Sequence, residues 1–348
     1  MIPDCSGENL RRCLLVFLTL FSLAGCISLK NKSPGGITDK LDASGKRIDY
    51  LYDVDINGCP QKILVQSNDI LHNPILLYLH GGPGSSALMW SHLYSEKLKD
   101  YFIFVNWDQR GTAFSYHEGM DPKKISEDQI GDDALELIRY LTKVFHKKKV
   151  YLIGHSFGSV IGLHLVANHP ERFHAYIGVG QVIDYNKSVA ITYQWLHDTL
   201  EKADDREGLK RIEKDRFPYI DLVIKYGGHH RLSIDLDSIK KTSPCYYDGY
   251  LELAETGRAF SQELVGKNPN PKAIHNKPLS KIDVPLYFFE GVNDRVIACA
   301  PELVVEYCKT VKAPKKEIIW FGNSAHLMNV EEPVKFQDEL IRILREKR

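Results

Sequence analysis

The sequence carries no excess of charge of either sign. Its 348 residues include 45 basic and 45 acidic side chains, and these are interspersed rather than gathered into a stripe. Binding of nucleic acid, or of a membrane surface through charge, needs a basic patch, so we expect no nucleic-acid partner. Apolar residues make up 43% and charged residues 26% of the chain, a balance typical of a globular protein that excludes global disorder.

Metal-binding cysteine motifs are also missing. None of the seven cysteines shows CxxC spacing or lies in a His/Cys cluster, so we expect no metal and no cofactor. Four of them, Cys59, Cys245, Cys299 and Cys308, fall in the part of the chain that we expect to fold. They are interpreted as small buried hydrophobes, with a Cys299–Cys308 disulfide as the alternative.

An apolar run long enough to span a bilayer, about 20 residues, is absent from the N-terminus. The shorter run CLLVFLTLFSLA follows Arg11 and Arg12 and indicates a signal peptide. It ends in LAGC and resembles a bacterial lipobox, which implies lipid modification of Cys26 and anchoring of the exported protein to a membrane of the bacterial cell envelope. An ordinary cleaved signal or an uncleaved anchor is the alternative. Residues 1–26 would be the signal peptide and 27–46 a flexible tether.

Beyond the tether, short apolar runs alternate with helical patterns. A strand pattern on both sides of Asn57-Gly58 predicts a hairpin. Near-continuous apolar runs predict strands buried on both faces of a parallel sheet: ILLYLH, YFIFVNW, KVYLIG, AYIGVG, PLYFFEG and KEIIWFG. Helical spacing appears in DDALELIRYLTKVFHK and in EPVKFQDELIRILREK. These patterns predict an α/β fold with a mostly parallel central sheet and helices on both faces.

The alternation stops between residues 184 and 278 and then resumes. This stretch has helical periodicity and many aromatic residues. We therefore predict an α/β core from 47–183 and 279–348, and an inserted, mainly helical cap from 184–278 over the carboxyl ends of the strands.

One serine stands where a strand pattern passes into a helix pattern. GHSFG at 154–158 matches G-x-S-x-G, and the strand-like KVYLI precedes it while SVIGLHLVANHP follows it. In that context the serine lies on a strained strand-to-helix turn. A serine hydroxyl is a weak nucleophile and needs a histidine and an orienting carboxylate. Ser156 is the predicted nucleophile.

The expected chain order is Ser, acid, His. Asp294 follows the strand-like run PLYFFEG, and His326 follows the next run, KEIIWFG. Both would lie in loops at the same edge of the sheet as Ser156. Other candidates are expected at the opposite edge, elsewhere on the turn, or on the surface of the cap: Asp283, His155, His229 and His230.

A serine mechanism also needs donors for the oxyanion. One is the backbone N–H of Phe157, directly after the serine. The loop HGGPG at 80–84 follows an early strand pattern, and glycines let the backbone approach a ligand closely. We predict the Gly82 N–H as the second donor.

Together, HGGPG, NWDQRGTAFS at 106–115, GHSFG and the loops of Asp294 and His326 resemble the α/β-hydrolase fold, and within it the proline iminopeptidases, over residues 47–345. The resemblance implies a Ser156–His326–Asp294 triad and release of an N-terminal residue, often proline, from small peptides. It also implies that DQRG is a structural loop beside the site.

The strand-to-helix turn that carries Ser156, called the elbow below, departs from the pattern GGSWG of the iminopeptidases, because this chain has GHSFG. Glu252 and Glu255 of the cap would bind a peptide amine or would be exposed helix charges.

Three functions remain open: an aminopeptidase, an esterase or amide hydrolase acting on small acyl substrates, and a non-catalytic envelope lipoprotein on a hydrolase scaffold. The partner is a small peptide or acyl substrate, and no oligomeric state is predicted.

Overall fold

The computed structural model describes residues 45–122, 125–231, 235–267 and 279–346. The predicted signal peptide, Cys26 and nearly all of the tether lie outside these residues. None of the helices within them has the length and apolar character that crossing a membrane requires.

The chain enters the sheet through the predicted hairpin. Strands β1 (Ile48–Ile56) and β2 (Cys59–Ser67) pair antiparallel around the turn. Asn57 and Gly58 both have positive φ, at 51° and 71°, which is the backbone of a type I′ turn and explains the preference for Asn-Gly there.

Six further strands complete an eight-stranded sheet: β3 (Ile75–Leu79), β4 (Ile103–Trp107), β5 (Val150–His155), β6 (Phe173–Val179), β7 (Leu286–Gly291) and β8 (Lys316–Phe321). The order is β1-β2-β4-β3-β5-β6-β7-β8. The pairs β1/β2 and β2/β4 are antiparallel and all later pairs are parallel. The predicted α/β class with a mostly parallel sheet is confirmed.

Helices cover both faces of this sheet. In chain order, the helices of the described residues are α1 (Glu127–Val144), α2 (Phe157–Asn168), α3 (Tyr185–Lys202), α4 (Arg206–Asp215), α5 (Ile220–Lys225), α6 (Leu236–Lys241), α7 (Tyr250–Lys267), α8 (Pro301–Thr310), α9 (Met328–Glu331) and α10 (Pro333–Arg345). One core cluster joins one sheet face to α1, α2 and α8. A second cluster joins the other face to α10 and the segment around Tyr94 and Leu98.

The amphipathic pattern of α1 shows how the sequence builds this layer. Ala134, Leu137, Ile138 and Leu141 are buried on one side, and each buried leucine or isoleucine contributes about 1.5–3 kcal/mol. The helix begins at Glu127, before the apolar pattern, because the Ser126 side chain accepts a hydrogen bond from the N–H of Gln129.

Helices α3 to α7 lie between β6 and β7 in the chain. Strands β3, β5, β6, β7 and β8 run parallel, so their carboxyl ends share one edge of the sheet. The loops after β3, β5, β7 and β8 carry Gly82, Ser156, Asp294 and His326 to that edge.

Candidate active site

Ser156 lies between the end of β5 and the start of α2. Its φ of 52° and ψ of −122° are sparsely populated for a residue with a side chain, and such strain clusters at functional sites. Its N–H donates to the carbonyl of Val179 on β6 at 2.9 Å. The flanking glycines are required by space, since a Cβ on Gly158 would stand 2.4 Å from the Leu79 oxygen and one on Gly154 would stand 2.8 Å from the Gly158 oxygen.

Asp294 and His326 form a buried pair at the same edge. His326 Nδ1 lies 2.7 Å from Asp294 Oδ2, and the two side chains are 5% and 0% exposed. The other carboxylate oxygen accepts the N–H of Val296 at 2.9 Å. Because the carboxylate oxygen accepts, Nδ1 carries a proton, and in a neutral ring Nε2 is then the acceptor nitrogen.

The end of β6 contacts both the pair and the serine. Val179 accepts the Ser156 N–H, and the next residue, Gly180, packs against the pair. A Cβ on Gly180 would stand 2.8 Å from both His326 Nδ1 and Cε1. Within the described residues, the hydrogen-bond partner of the Ser156 hydroxyl is the thiol of Cys299, at 3.8 Å, and not His326.

The loop after β3 touches the serine. A Cβ on Gly81 would stand 2.7 Å from the Cβ of Ser156. Gly82 follows with a φ of 113°, a left-handed conformation that favours glycine. Phe157 is the first residue of α2, so its N–H lacks an intrahelical partner. The two predicted oxyanion donors therefore belong to the two segments that meet at Ser156.

His80 supports this loop from behind. Its Nδ1 donates to the Gly81 carbonyl at 2.8 Å, and its Nε2 accepts the N–H of Gln109 at 3.2 Å. Burial lowers the pKa of His80 to about 4, so the ring is neutral at physiological pH. The Gln109 side chain donates to the His80 carbonyl at 3.0 Å. The DQRG segment thus braces the HGGPG loop.

Arg110 of the same segment belongs to a buried network. Its guanidinium donates to both oxygens of Asp133 on α1, at 2.7 and 2.9 Å. Asp133 also accepts from the side chains of Asn57, Gln61 and Gln129. This carboxylate connects the hairpin, the DQRG loop and α1.

Two carboxyl groups near the site are buried, and the burial of neither was predicted, although Asp108 belongs to the DQRG loop that was expected beside the site. Glu290 at the end of β7 accepts the Gln181 N–H at 3.1 Å, and burial raises its pKa well above the usual range. Asp108 accepts the Phe114 N–H at 3.2 Å, and burial raises its pKa to about 7. Glu290 lies within an apolar strand pattern, and a single charge in such a run is the signal that would have identified it.

Cys299 was interpreted as a small buried hydrophobe, and it is buried. Its contact with Ser156 was not predicted, since 143 positions separate the two residues. Within the described chain, Cys59, Cys245, Cys299 and Cys308 are free thiols, so the alternative Cys299–Cys308 disulfide is not formed.

His229 was expected to be a surface residue of the cap, and the structure places this cap residue half-buried beside the candidate histidine. The carbonyl of His229 accepts the N–H of His326 at 2.9 Å, and the two rings lie 5.8 Å apart. The preceding Gly228 carbonyl accepts the N–H of Arg295 at 2.8 Å. Burial lowers the pKa of His229 to about 3. This cap segment therefore contacts both the acid loop and the histidine loop.

The cap also packs on the loops after β3 and β4. A Cβ on Gly84 would stand 2.7 Å from the Cβ of Ser261, and a Cβ on Gly111 would stand 2.6 Å from the ring of Phe260. Both contacted residues belong to α7. The ring of Tyr250 lies 5.2 Å from that of Phe114 and is buried. Glu252 and Glu255 are exposed, and Glu255 pairs with Arg258 at 2.6 Å.

Within the described residues, one group of three side chains has ligand atoms close enough together to bind a metal ion. It consists of His197, Asp198 and Glu201 on α3. His197 is half-buried and both carboxylates are exposed. The group is on the cap, and neither Ser156 nor the Asp294–His326 pair belongs to it.

Comparison with known proteins agrees with this architecture. A family model described as alpha/beta hydrolase fold matches residues 74–222. A probable aminopeptidase of Bacillus subtilis, YbaC, is 29% identical over 312 residues, which cover 85% of this chain and 96% of that protein. A proline iminopeptidase of Saccharolobus solfataricus is 27% identical over 284 residues, which cover 76% and 82%.

Among solved structures, the proline iminopeptidase of Mycobacterium smegmatis superposes with a TM-score of 0.64. The match covers 85% of this chain and 98% of that one, at 14% sequence identity. At this identity the likeness bears on the fold alone.

Proposed function

Because this chain belongs to the α/β-hydrolase family and is proline iminopeptidase-like, we propose that it is a serine hydrolase with Ser156 as nucleophile. The observation that carries the proposal is the 2.7 Å hydrogen bond between His326 and Asp294, at the sheet edge that also holds Ser156 on its strained turn. Nucleophile, base and orienter are the three parts that acyl transfer requires.

In the proposed reaction the Ser156 hydroxyl rotates from Cys299 towards His326 and attacks the substrate carbonyl. His326 Nε2 takes the hydroxyl proton, while Asp294 holds Nδ1–H and stabilises the imidazolium. The N–H groups of Gly82 and Phe157 stabilise the negative oxygen. His326 then gives the proton to the leaving group. Water, deprotonated by the same ring, hydrolyses the acyl-enzyme and regenerates Ser156.

The test is covalent labelling by a fluorophosphonate. Ser156→Ala should abolish labelling and lower hydrolysis at least about 10⁴-fold. Ser280→Ala is the matched control, since Ser280 is exposed and stands outside the site. Labelling that persists in the Ser156→Ala protein would contradict the assignment.

For the substrate, we propose an aminopeptidase that releases N-terminal residues from small peptides. The relatives named aminopeptidase and proline iminopeptidase support it. The measurement compares proline arylamide with its N-acetylated form. Turnover should require the free amine, and a preference for the blocked substrate would contradict an aminopeptidase.

An esterase or amide hydrolase is the second candidate. One observation favours it: the cap carboxylates considered as amine ligands, Glu252 and Glu255, are exposed, and Arg258 neutralises Glu255. An esterase would hydrolyse short-chain nitrophenyl esters faster than proline arylamide.

A further inference from the structure

His155, the residue before Ser156, is one of the two positions, with Phe157, at which the sequence GHSFG departs from the iminopeptidase pattern. His155 is 8% exposed. It lies against the active-site histidine, with the two rings 4.9 Å apart. A polar ring buried at this position needs partners for both of its nitrogens.

The partners determine which nitrogen carries the proton. His155 Nε2 lies 3.2 Å from the backbone carbonyl oxygen of His326. A carbonyl can only accept, so Nε2 donates. Nδ1 is then an acceptor, and the hydroxyl of Tyr78 donates to it at 2.9 Å. Burial holds the pKa of His155 well below its usual range, which agrees with a neutral ring.

His326 needs such anchors because its loop has no regular structure. Residues 322–327 between β8 and α9 are turns, bends and irregular backbone. Individual hydrogen bonds hold this loop, among them those from the N–H of Asn293 to the Ser324 carbonyl at 3.1 Å and from the N–H of Ala325 to the Glu331 carboxylate at 2.8 Å. The peptide groups of His326 are held from two sides. The N–H donates to His229 of the cap at 2.9 Å, and the carbonyl accepts from His155.

We propose that His155 is a positioning residue. By donating from Nε2 to the carbonyl of His326, it holds the backbone of that loop so that the His326 ring faces Ser156. The proposal rests on the proposed function, because it takes His326 as the base that activates Ser156. It gives the histidine of GHSFG a role in the reaction rather than in substrate choice.

Two substitutions separate the hydrogen bond from the bulk of the ring. His155→Gln keeps an N–H donor for His326 and an oxygen acceptor for Tyr78, whereas His155→Leu keeps apolar bulk and neither group. A small misplacement of a catalytic group costs up to about 10²-fold in rate. We expect His155→Leu to slow fluorophosphonate labelling and kcat about 10- to 100-fold with KM little changed, and His155→Gln to stay within about threefold of the natural protein.

An equal loss of activity in both variants would overturn the proposal, because the hydrogen bond would then be irrelevant. Full activity of His155→Leu would overturn it as well. If the natural protein itself failed to react, the proposed serine chemistry would fall, and the role of His155 with it. A reactive natural protein with an equally reactive Leu variant would remove the role of His155 alone.

A spectroscopic measurement covers the case in which the Leu variant does not fold. In the natural protein labelled with ¹⁵N-histidine, the spectrum should show His155 protonated on Nε2 and unprotonated on Nδ1 at neutral pH, and His155→Gln should identify its signals by their loss. Protonation on Nδ1, or on both nitrogens, would overturn the proposal.

Discussion

Gly81 lies in van der Waals contact with Ser156. A Cβ added to Gly81 would stand 2.7 Å from the serine Cβ and 3.3 Å from its hydroxyl oxygen. The loop after β3 and the elbow after β5 are therefore closed on one another, and the space at Gly81 is part of the candidate site.

Gly81→Ala should push these two segments apart. Overpacking of this kind costs about 1–3 kcal/mol, and displacement of a nucleophile costs up to about 10²-fold in rate. We expect kcat to fall at least about tenfold in steady-state assays. Gly131→Ala is the control, because Gly131 lies in α1 with open space around its Cβ position. It should leave the activity unchanged and stabilise the protein by about 0.5–1 kcal/mol. Unchanged activity in Gly81→Ala would contradict the packing.

The ion pair of Arg110 with Asp133 should matter for stability. Asp133 is fully buried and the Arg110 side chain is 14% exposed, so removing the arginine leaves a buried charge without its main partner. We expect Arg110→Ala to lower the free energy of unfolding by about 3–5 kcal/mol, measured by urea denaturation. Arg139→Ala, in an exposed pair with Glu136, should change it by less than about 1 kcal/mol. Similar losses in the two variants would be inconsistent with the buried network.

Asp108 should make stability depend on pH. Burial raises the pKa of its carboxyl to about 7, so the folded protein holds a proton that the unfolded chain releases above a pH of about 4. As the pH rises from about 4 to about 7, this group lowers the free energy of unfolding, by on the order of 2–4 kcal/mol.

Asp108→Asn cannot titrate and keeps an oxygen for the Phe114 N–H. The stability of this variant relative to the natural protein should therefore increase across the same pH interval and then level off. Urea midpoints of both proteins at several pH values measure the difference. A constant difference across the interval would show that the carboxyl is ionised in the folded state throughout.

Cys299 should resist alkylation while the protein is folded. Burial raises its pKa well above that of a free thiol, and the thiolate is the reactive form. We expect iodoacetamide to modify Cys299 at least about 100-fold more slowly in the folded protein than in guanidinium, as followed by mass spectrometry. The half-buried Cys308 is the internal comparison and should react faster. Rapid modification of Cys299 would place it in an open cleft.

The strands and the elbow were predictable because their signals are local. Apolar runs of six or seven residues correspond to β3 to β8, and Asn57-Gly58 forms the turn that its φ preferences favour. Ser156 stands on the strained turn that Gly154 and Gly158 make sterically feasible. Asp294 and His326 were predicted as the acid and the base because each follows one of two successive strand patterns. Loops after parallel strands lie at the same edge of the sheet.

The contacts of the buried polar groups were not predictable. The thiol of Cys299 at Ser156, the bond of His155 to the His326 carbonyl, the cap carbonyl of His229 and the network on Asp133 all join residues distant in sequence. Hydrophobic periodicity and the positions of glycines indicate which backbone conformation a segment prefers by itself. Which polar partner a buried side chain meets is decided only when the sheet order and the cap bring separate segments together, because burial then requires each group to find a hydrogen bond among its new neighbours.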